Sequence, residues 1–249
     1  MPESILYLGD THLTDAAAYL AGLMHSWGWR FDYLRSDQTL TPEMLDTPRS
    51  LFVVSDYPAA RMNDEVQQRL LAQVGEGVGL VMIGGWESFH GLGGDWDGTA
   101  LGNVLPVQIA AEDDRMNCDQ PVLVRRVADH PVLAGLPWDS RPPVIGGFNR
   151  VLAKPDAKVL LEAQRFTARQ HNGAFSFEPL DQHPLLVVGN HGRGRTAAFM
   201  TDVAPHWVGP LVDWGLPRVT GQAPSANAIE VGGDYARFLQ QLLSWAKRT

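Results

Sequence analysis

Residues 79–88 read GLVMIGGWES, and this stretch decides the fold. Its first part is a short apolar run bounded by glycine, which predicts a buried β-strand over residues 80–83. The pair Gly84-Gly85 then permits a sharp turn, and polar residues follow directly. Residues 51–56, LFVVSD, show the same pattern of an apolar strand that ends in polar residues. Two strands of this kind predict a parallel sheet that is covered on both faces.

Helical and extended segments alternate through the first half of the chain. Apolar residues recur at helical spacing over residues 17–27, and again up to Val74 after a cap at Asn63 or Asp64. Further short strands are predicted over residues 4–10 and 30–34. This alternation is the pattern of a doubly wound α/β fold with a mostly parallel, flavodoxin-like sheet.

The middle of the chain has a different pattern. Residues 91–105 are rich in Gly, Asp and Asn, and residues 106–161 hold short strand-like runs separated by Pro and Gly. No linker brackets this part, so we predict an antiparallel β insertion at about 106–161 within a single domain of residues 1–249. Beyond it the sequence predicts strands over 184–189 and 195–201 joined by a hairpin turn, and an amphipathic helix from Tyr235 to Ala246.

Composition limits the class of protein. Of 249 residues, 45% are hydrophobic and 19% are charged, which is typical of a globular chain and excludes a disordered or fibrous one. The net charge of −8 argues against nonspecific binding to nucleic acid or to an anionic membrane. The single cysteine, Cys118, excludes an internal disulfide framework and a Cys-rich zinc site. The N-terminus lacks a signal-peptide pattern and no apolar run has the length of a membrane span, so we expect a cytoplasmic protein.

Ligands of doubly wound sheets bind beyond the carboxyl ends of the parallel strands. Four such ends carry polar or aromatic residues: 9–12, 55–57, 84–88 and 201–207. Turns favour Gly, Asp and Ser in any case, so the prediction rests on the coincidence of four ends. The sequence predicts a pocket at this edge for a small polar ligand or a partner protein. The predicted lining consists of Asp10, His12, Asp56, Tyr57, Gly85, Trp86, Asp202 and Trp207.

Three residues at the same edge are candidates for catalysis. Glu87 and Ser88 follow the Gly-Gly turn, and His206 follows a strand end, where an imidazole can act as a general base. The alternatives are that the turn only lets the chain pass beneath a loop, that Trp86 fills the core, and that His206 belongs to a packing corner. The residue types alone do not decide between these interpretations.

Metal binding is a weaker hypothesis for this edge. Asp10, His12, Asp56, Asp202 and His206 could converge on Zn, Fe or Mn, yet no H-x-x-x-H or H-E-x-x-H spacing is present. The sequence therefore predicts no metal and no cofactor.

The order of these segments resembles the class I glutamine amidotransferase-like fold. The likeness is closest to the bacterial group described as glutamine amidotransferases of unknown activity, and it covers residues 5–207. It is carried by SDYP at 55–58, GLVMIGGWESF at 79–89, LPV at 105–107, DHPVLAGL at 129–136 and GRGRTAAFMTDVAPHW at 192–207.

Glutaminase members of that superfamily use a Cys at the elbow turn, a His and a Glu. The elbow here offers Trp86 or its neighbours in place of the Cys, and His206 matches the family's His by strand-end position without the usual Pro-Glu after it. Without a thiolate, the thioester route to glutamine hydrolysis is closed. The resemblance thus implies the fold and leaves the activity open.

Three functions follow as hypotheses. The first is a degenerate amidotransferase-like protein that binds a small polar ligand or a protein and lacks glutaminase activity. The second is a hydrolase that uses Glu87 or Ser88 with His206. The third is an assembly module such as a homo-oligomer, because the chain holds eight Trp and aromatic residues are enriched in interfaces. Whether the chain is an enzyme, and whether residues 91–102 form a lid, stays open at this stage.

Overall fold

A computed structural model describes residues 4–248 of the chain. Nine strands form one mixed sheet, and two further pairs of short strands form separate ribbons. The strands are β1 (Ser4–Gly9), β2 (Arg30–Leu34), β3 (Leu51–Ser55), β4 (Gly79–Ile83), β5 (Val107–Gln108), β6 (Arg115–Arg126), β7 (Val144–Asn149), β8 (Leu152–Ala153), β9 (Lys158–His171), β10 (Ala174–His191), β11 (Gly194–Phe199), β12 (Val219–Gly221) and β13 (Ile229–Val231). The helices are α1 (Ala17–Ser26), α2 (Asp64–Glu76), α3 (Ala100–Val104), α4 (Pro205–Val208) and α5 (Gly233–Ala246).

The parallel half of the sheet has the order β2-β1-β3-β4-β11. Every residue of β3 and β4 is buried, because helices and loops cover both faces of these central strands. Helix α1 contacts β2, α2 contacts β11, and α5 contacts both β4 and β11. This strand order is that of flavodoxin-like folds, so the predicted α/β class is confirmed.

The antiparallel half continues the same sheet through β10, β9, β6 and β7. The sequence placed the β insertion at about 106–161, whereas the antiparallel strands continue to the end of β10 at His191. The difference arises because β9 and β10 form one long hairpin, with strands of 14 and 18 residues. Its distal part is exposed on both strands and has no continuous apolar run of the kind that marks a strand buried on both faces.

The antiparallel half curls back onto the parallel half. Strand β7 stands last in the pairing order, yet the Asn149 amide donates to the Met200 carbonyl at 2.8 Å. The Thr201 hydroxyl donates to the Gly147 carbonyl at 2.9 Å. Because Met200 and Thr201 directly follow β11, these bonds bring the end of β7 to the edge where the parallel strands end.

One continuous core of buried apolar side chains runs from Ile5 to Ala246 and joins the two halves. Helix α2 begins after Asn63, whose side chain accepts a hydrogen bond from the Val66 amide at 3.0 Å, so Asn63 rather than Asp64 is the N-cap. It ends at Gly77, which has a φ of +126°. No helix within residues 4–248 is long and apolar enough to span a membrane.

Candidate functional site

The parallel strands β1, β3, β4 and β11 end at one edge of the sheet, and polar residues follow each end. Asp10 follows β1 and Asp56 follows β3, both with a φ of +45°. Asp tolerates this left-handed conformation better than most residues with a Cβ, which lets the chain turn away at once after the strand. Asp202 follows β11 and completes a group of three carboxylates.

The three carboxylates lie in surroundings that disfavour their charged forms. Burial raises the pKa of Asp10 well above its usual range, and the negative charges of Asp202 and Asp56 raise it further. Tyr7 donates its hydroxyl hydrogen to Asp10 Oδ2 at 3.0 Å, which partly offsets this effect on the pKa. Burial likewise raises the pKa of Asp56, with Asp202 as the second cause. The pKa of Asp202 rises to about 6 through burial, although the Ala204 and Val203 amides donate to its Oδ1.

The elbow turn of residues 84–88 is fixed to Asp56. The Glu87 amide donates to Asp56 Oδ1 at 2.7 Å, and the Asp56 amide donates to Ser88 Oγ at 2.9 Å. A Cβ at Gly85 would lie 2.1 Å from Asp56 Oδ1, so the carboxylate fills the space that any other residue would need. The turn therefore requires glycine at position 85 for reasons of space.

A second support for the elbow comes from the antiparallel half. Asn149 Oδ1 accepts from the Gly85 amide at 3.0 Å, and its Nδ2 donates to the Gly85 carbonyl at 3.2 Å and to Asp114 Oδ1 at 2.8 Å. Asp114 also accepts from the His90 and Gly91 amides at 3.1 and 3.0 Å. Both side chains are fully buried. Neither residue was predicted from the sequence, because nothing in the pattern around Asp114 or Asn149 indicates a role at a distant turn.

Two neighbouring cavities of about 690 and 460 Å³ lie along this edge. They share Asp15, Ala16, Asp56 and Trp86, so we treat them as one groove. Carboxylates dominate its charged lining, with Asp10, Asp15, Asp56, Glu87 and Asp202. Among the described residues that line it there is no Lys or Arg. Burial raises the pKa of Glu87 too, against the opposing charge of Arg61.

Aromatic side chains form part of the groove wall. Trp86 is 41% exposed, so the interpretation that it fills the core is wrong. The Arg115 guanidinium carbon lies 4.5 Å from the centre of its ring, and the His206 ring centre lies 5.8 Å away. Tyr19 and His206 line the larger cavity. The elbow thus presents an indole to the groove.

The structure brings together five of the eight predicted ligand-binding residues: Asp10, Asp56, Gly85, Trp86 and Asp202. The other three lie elsewhere. His12 is exposed and does not line either cavity. Tyr57 is buried, and its hydroxyl accepts from the Leu40 amide and donates to the backbone. Trp207 is also buried, and its Nε1 donates to Asn117 Oδ1 at 2.7 Å, so it packs inward.

The predicted catalytic residues do not form a dyad. Ser88 is fully buried, and its hydroxyl is held by the Asp56 amide. His206 is exposed in α4 and contacts Trp86. Within residues 4–248, no hydrogen bond joins His206 to Glu87 or Ser88. Glu87 does line the groove, so of the three residues only Glu87 and His206 are open to a ligand.

Among the described residues that line this groove there is neither a metal-binding cluster nor a thiol. Across the described part of the chain, no group of three or more His, Cys, Asp or Glu has an arrangement that could hold a metal ion. Cys118 lies on β6 and does not line the groove. Burial raises the pKa of its thiol, which disfavours the reactive thiolate.

The sequence model of the family described as "Putative glutamine amidotransferase" matches residues 51–217, about two thirds of the chain. The chain belongs to this family. The match includes β3, the elbow turn and Asp202. No curated protein matches the sequence.

Solved structures show how widely the fold of this family member is shared. The cytoplasmic protein STM3548 of Salmonella typhimurium is 24% identical, with 97% of this chain and 98% of that chain covered and a TM-score of 0.74. STM1381 of Salmonella typhimurium LT2 is 23% identical, with 98% and 99% covered and a TM-score of 0.75. A β-galactosidase of Rahnella sp. R3 is 14% identical over 98% of this chain but 31% of its own, with a TM-score of 0.51. At these identities the likeness shows the fold alone.

Proposed function

We propose that this family member binds a small polar ligand in the groove and does not hydrolyse glutamine. The observation that carries the proposal is the elbow, where Trp86 lines a groove from which Cys118 is absent. Glutamine hydrolysis through a thioester needs a thiolate at this turn. The hydroxyl of Ser88 is no substitute, because it is buried and already accepts a hydrogen bond from the Asp56 amide.

The charges of the groove restrict the ligand. Five acidic side chains line it without a Lys or Arg among the described lining residues, so an anionic ligand would find no cationic partner in the lining and would be repelled by the acidic groups that are ionised. A neutral polyol or an organic cation would instead give these carboxylates a hydrogen-bond donor. The faces of Trp86 and Tyr19 suit either class, because aromatic rings stack on apolar ligand faces and attract cations. The ligand is therefore a small polar molecule without net negative charge.

A binding assay on the purified full chain tests the proposal. Calorimetric titration with glucose, putrescine and inorganic phosphate represents the neutral, cationic and anionic classes. We expect binding of glucose or putrescine, no binding of phosphate, and an affinity at least about tenfold lower in Trp86→Ala. Trp27→Ala is the matched control, because Trp27 lies outside the groove and packs against Trp29. Binding of phosphate, without binding of glucose or putrescine, would refute the proposal that the ligand carries no net negative charge.

A second assay addresses the chemistry. Ammonia release from L-glutamine should stay at the level of the blank, and Cys118→Ser should not change it. Turnover that disappears in Cys118→Ser would show that a thiol outside the groove is active and would overturn the proposal.

Both Salmonella neighbours are named cytoplasmic proteins, which supports the cytoplasmic location expected from the sequence.

A further inference from the structure

The hairpin of β9 and β10 extends beyond the rest of the sheet. Strand β6 pairs with β9 between Leu161 and Gln164, and β11 pairs with β10 from Leu186 onward. Residues 165–181 therefore form strand pairs only with one another, and we call them the arm. All residues from 169 to 180 are exposed.

The two faces of the arm differ sharply in polarity. In an antiparallel pair, residues directly opposite each other share a face. Phe175 faces Gln170, Phe177 faces Ala168, and Pro179 faces Phe166, so these pairs form one largely apolar face. Phe166 and Phe177 touch edge to face, with ring centres 5.4 Å apart. The opposite face pairs Ser176 with Arg169 and Glu178 with Thr167.

We propose that the apolar face of the arm is the surface through which two copies of this chain associate. Phe175 and Phe177 are 65% and 63% exposed. An isolated two-stranded hairpin is at best marginally stable in water, because it buries too little apolar surface. A second arm laid against the first buries both apolar faces at once, and a two-fold axis makes the same patch serve on both copies.

The charges of the arm favour a second copy as its partner. The whole chain carries a net charge of −8, so two copies repel each other over most of their surfaces. Within the arm, Arg165 pairs with Asp181 at 2.7 Å and Arg169 lies 3.7 Å from Glu178. These pairs balance, so the arm is a neutral part of an acidic protein. Two arms meet without repulsion, and nothing on the apolar face selects a charged partner.

The available area sets the strength of this association. The exposed parts of Phe175 and Phe177 amount to roughly 250 Å² per arm, or about 500 Å² for two copies. Interfaces of this kind are roughly 60% apolar, so the whole contact would bury about 800 Å². That is below the range for stable interfaces, and we therefore expect a weak, reversible dimer whose population rises with concentration.

Sedimentation velocity over a concentration series tests the proposal on the full chain. We expect the wild-type mass to rise from 27.4 kDa toward twice that value. The double variant Phe175→Ser/Phe177→Ser should raise the dimer dissociation constant at least about tenfold. The matched control Thr167→Ser/Ser176→Ala changes the polar face of the same arm and should leave the constant unchanged. An unaltered thermal unfolding curve shows that each variant is folded.

Three results would overturn the proposal. The first is a wild-type chain that remains a 27.4 kDa monomer at every concentration. The second is a double variant that dimerises like the wild type, which would place the interface elsewhere. The third is a monomeric wild type that floats with phosphatidylcholine vesicles, which would make the arm a lipid-binding element. A variant with residues 166–179 replaced by an Asn-Gly turn gives an independent readout, and it should be monomeric even if the Phe variants fold poorly.

Discussion

Replacing Asp202 with Asn should stabilise the protein at neutral pH. Asp202 is 5% exposed, and burial raises its pKa from the usual 3.8 to about 6. Each pKa unit corresponds to about 1.4 kcal/mol, so the ionised carboxylate costs the folded state about 3 kcal/mol. An Asn side chain keeps an oxygen for the Val203 and Ala204 amides and carries no charge. The substitution should therefore remove the cost and retain the hydrogen bonds.

The pH dependence gives this prediction a clear sign. Because the folded-state pKa of Asp202 lies above 3.8, the folded protein binds this proton more tightly than the unfolded chain does. The contribution of Asp202 to stability is fully present below pH 3.8, falls as the pH rises toward 6, and stays lost above that. The stability gained by Asp202→Asn should accordingly be close to zero at acid pH and reach at least about 3 kcal/mol near pH 7.5, because removing this charge also relieves its repulsion of Asp10 and Asp56.

Urea unfolding followed by far-UV circular dichroism, at several pH values, measures this difference. In thermal unfolding, the same 3 kcal/mol corresponds to a rise in Tm of roughly 6–12 °C for a chain of this length. Some other carboxylates have a lowered pKa and contribute to stability with the opposite pH dependence, such as Asp113, whose pKa the neighbouring Arg115 lowers to about 2. Wild type and variant share these groups, so their contributions cancel in the difference. Asp119→Asn, an exposed position, should change stability by less than about 0.5 kcal/mol. An Asp202→Asn protein that is no more stable than wild type at pH 7.5 would refute the reasoning.

Further substitutions test the elbow and the N-cap of α2 by chemical denaturation. Gly85→Ala should destabilise by about 2 kcal/mol, since its Cβ would meet the Asp56 carboxylate, and Asp56→Ala in the same chain should recover the part of that loss that is due to this contact and leave the strain of a Cβ at a φ of +156°; purely additive effects would contradict the contact. Asn149→Ala should cost about 3 kcal/mol, because it removes one of the three donors to the buried Asp114 and the side-chain acceptor of the Gly85 amide; a loss below 1 kcal/mol would speak against the network. Asn63→Ala should cost about 1 kcal/mol through the lost cap of α2, with no change in ligand affinity at the groove.

The parallel half of the fold was predictable because its strands are buried on both faces. Residues 51–55 and 79–83 are almost wholly apolar, and short apolar runs bounded by Gly and Asp leave few alternatives. The arm was not predictable in the same way. Its apolar residues alternate with polar ones, a pattern that is typical of a strand with one buried face, yet both faces are exposed and no continuous apolar run marks the segment. That these residues extend β9 and β10 into one long hairpin follows from strand pairing, which only the three-dimensional structure shows.

Within the site, position along the chain was predictable and side-chain direction was not. Asp10, Asp56 and Asp202 meet because neighbouring parallel strands end at the same edge, which the strand pattern implies. Tyr57 and Trp207 also follow strand ends, yet both turn inward. The direction of such a side chain depends on the backbone conformation of the turn, such as the φ of +45° at Asp56, which no spacing rule reveals.

The hydrogen bonds between Asn149 and Gly85 affect how the protein unfolds. They connect the last strand of the pairing order to the turn after a central strand, so neither half of the sheet can detach without exposing buried polar groups of the other. The two halves should melt in a single cooperative transition. Amide hydrogens at the elbow should then exchange with solvent only through global unfolding, as slowly as those at the centre of β4.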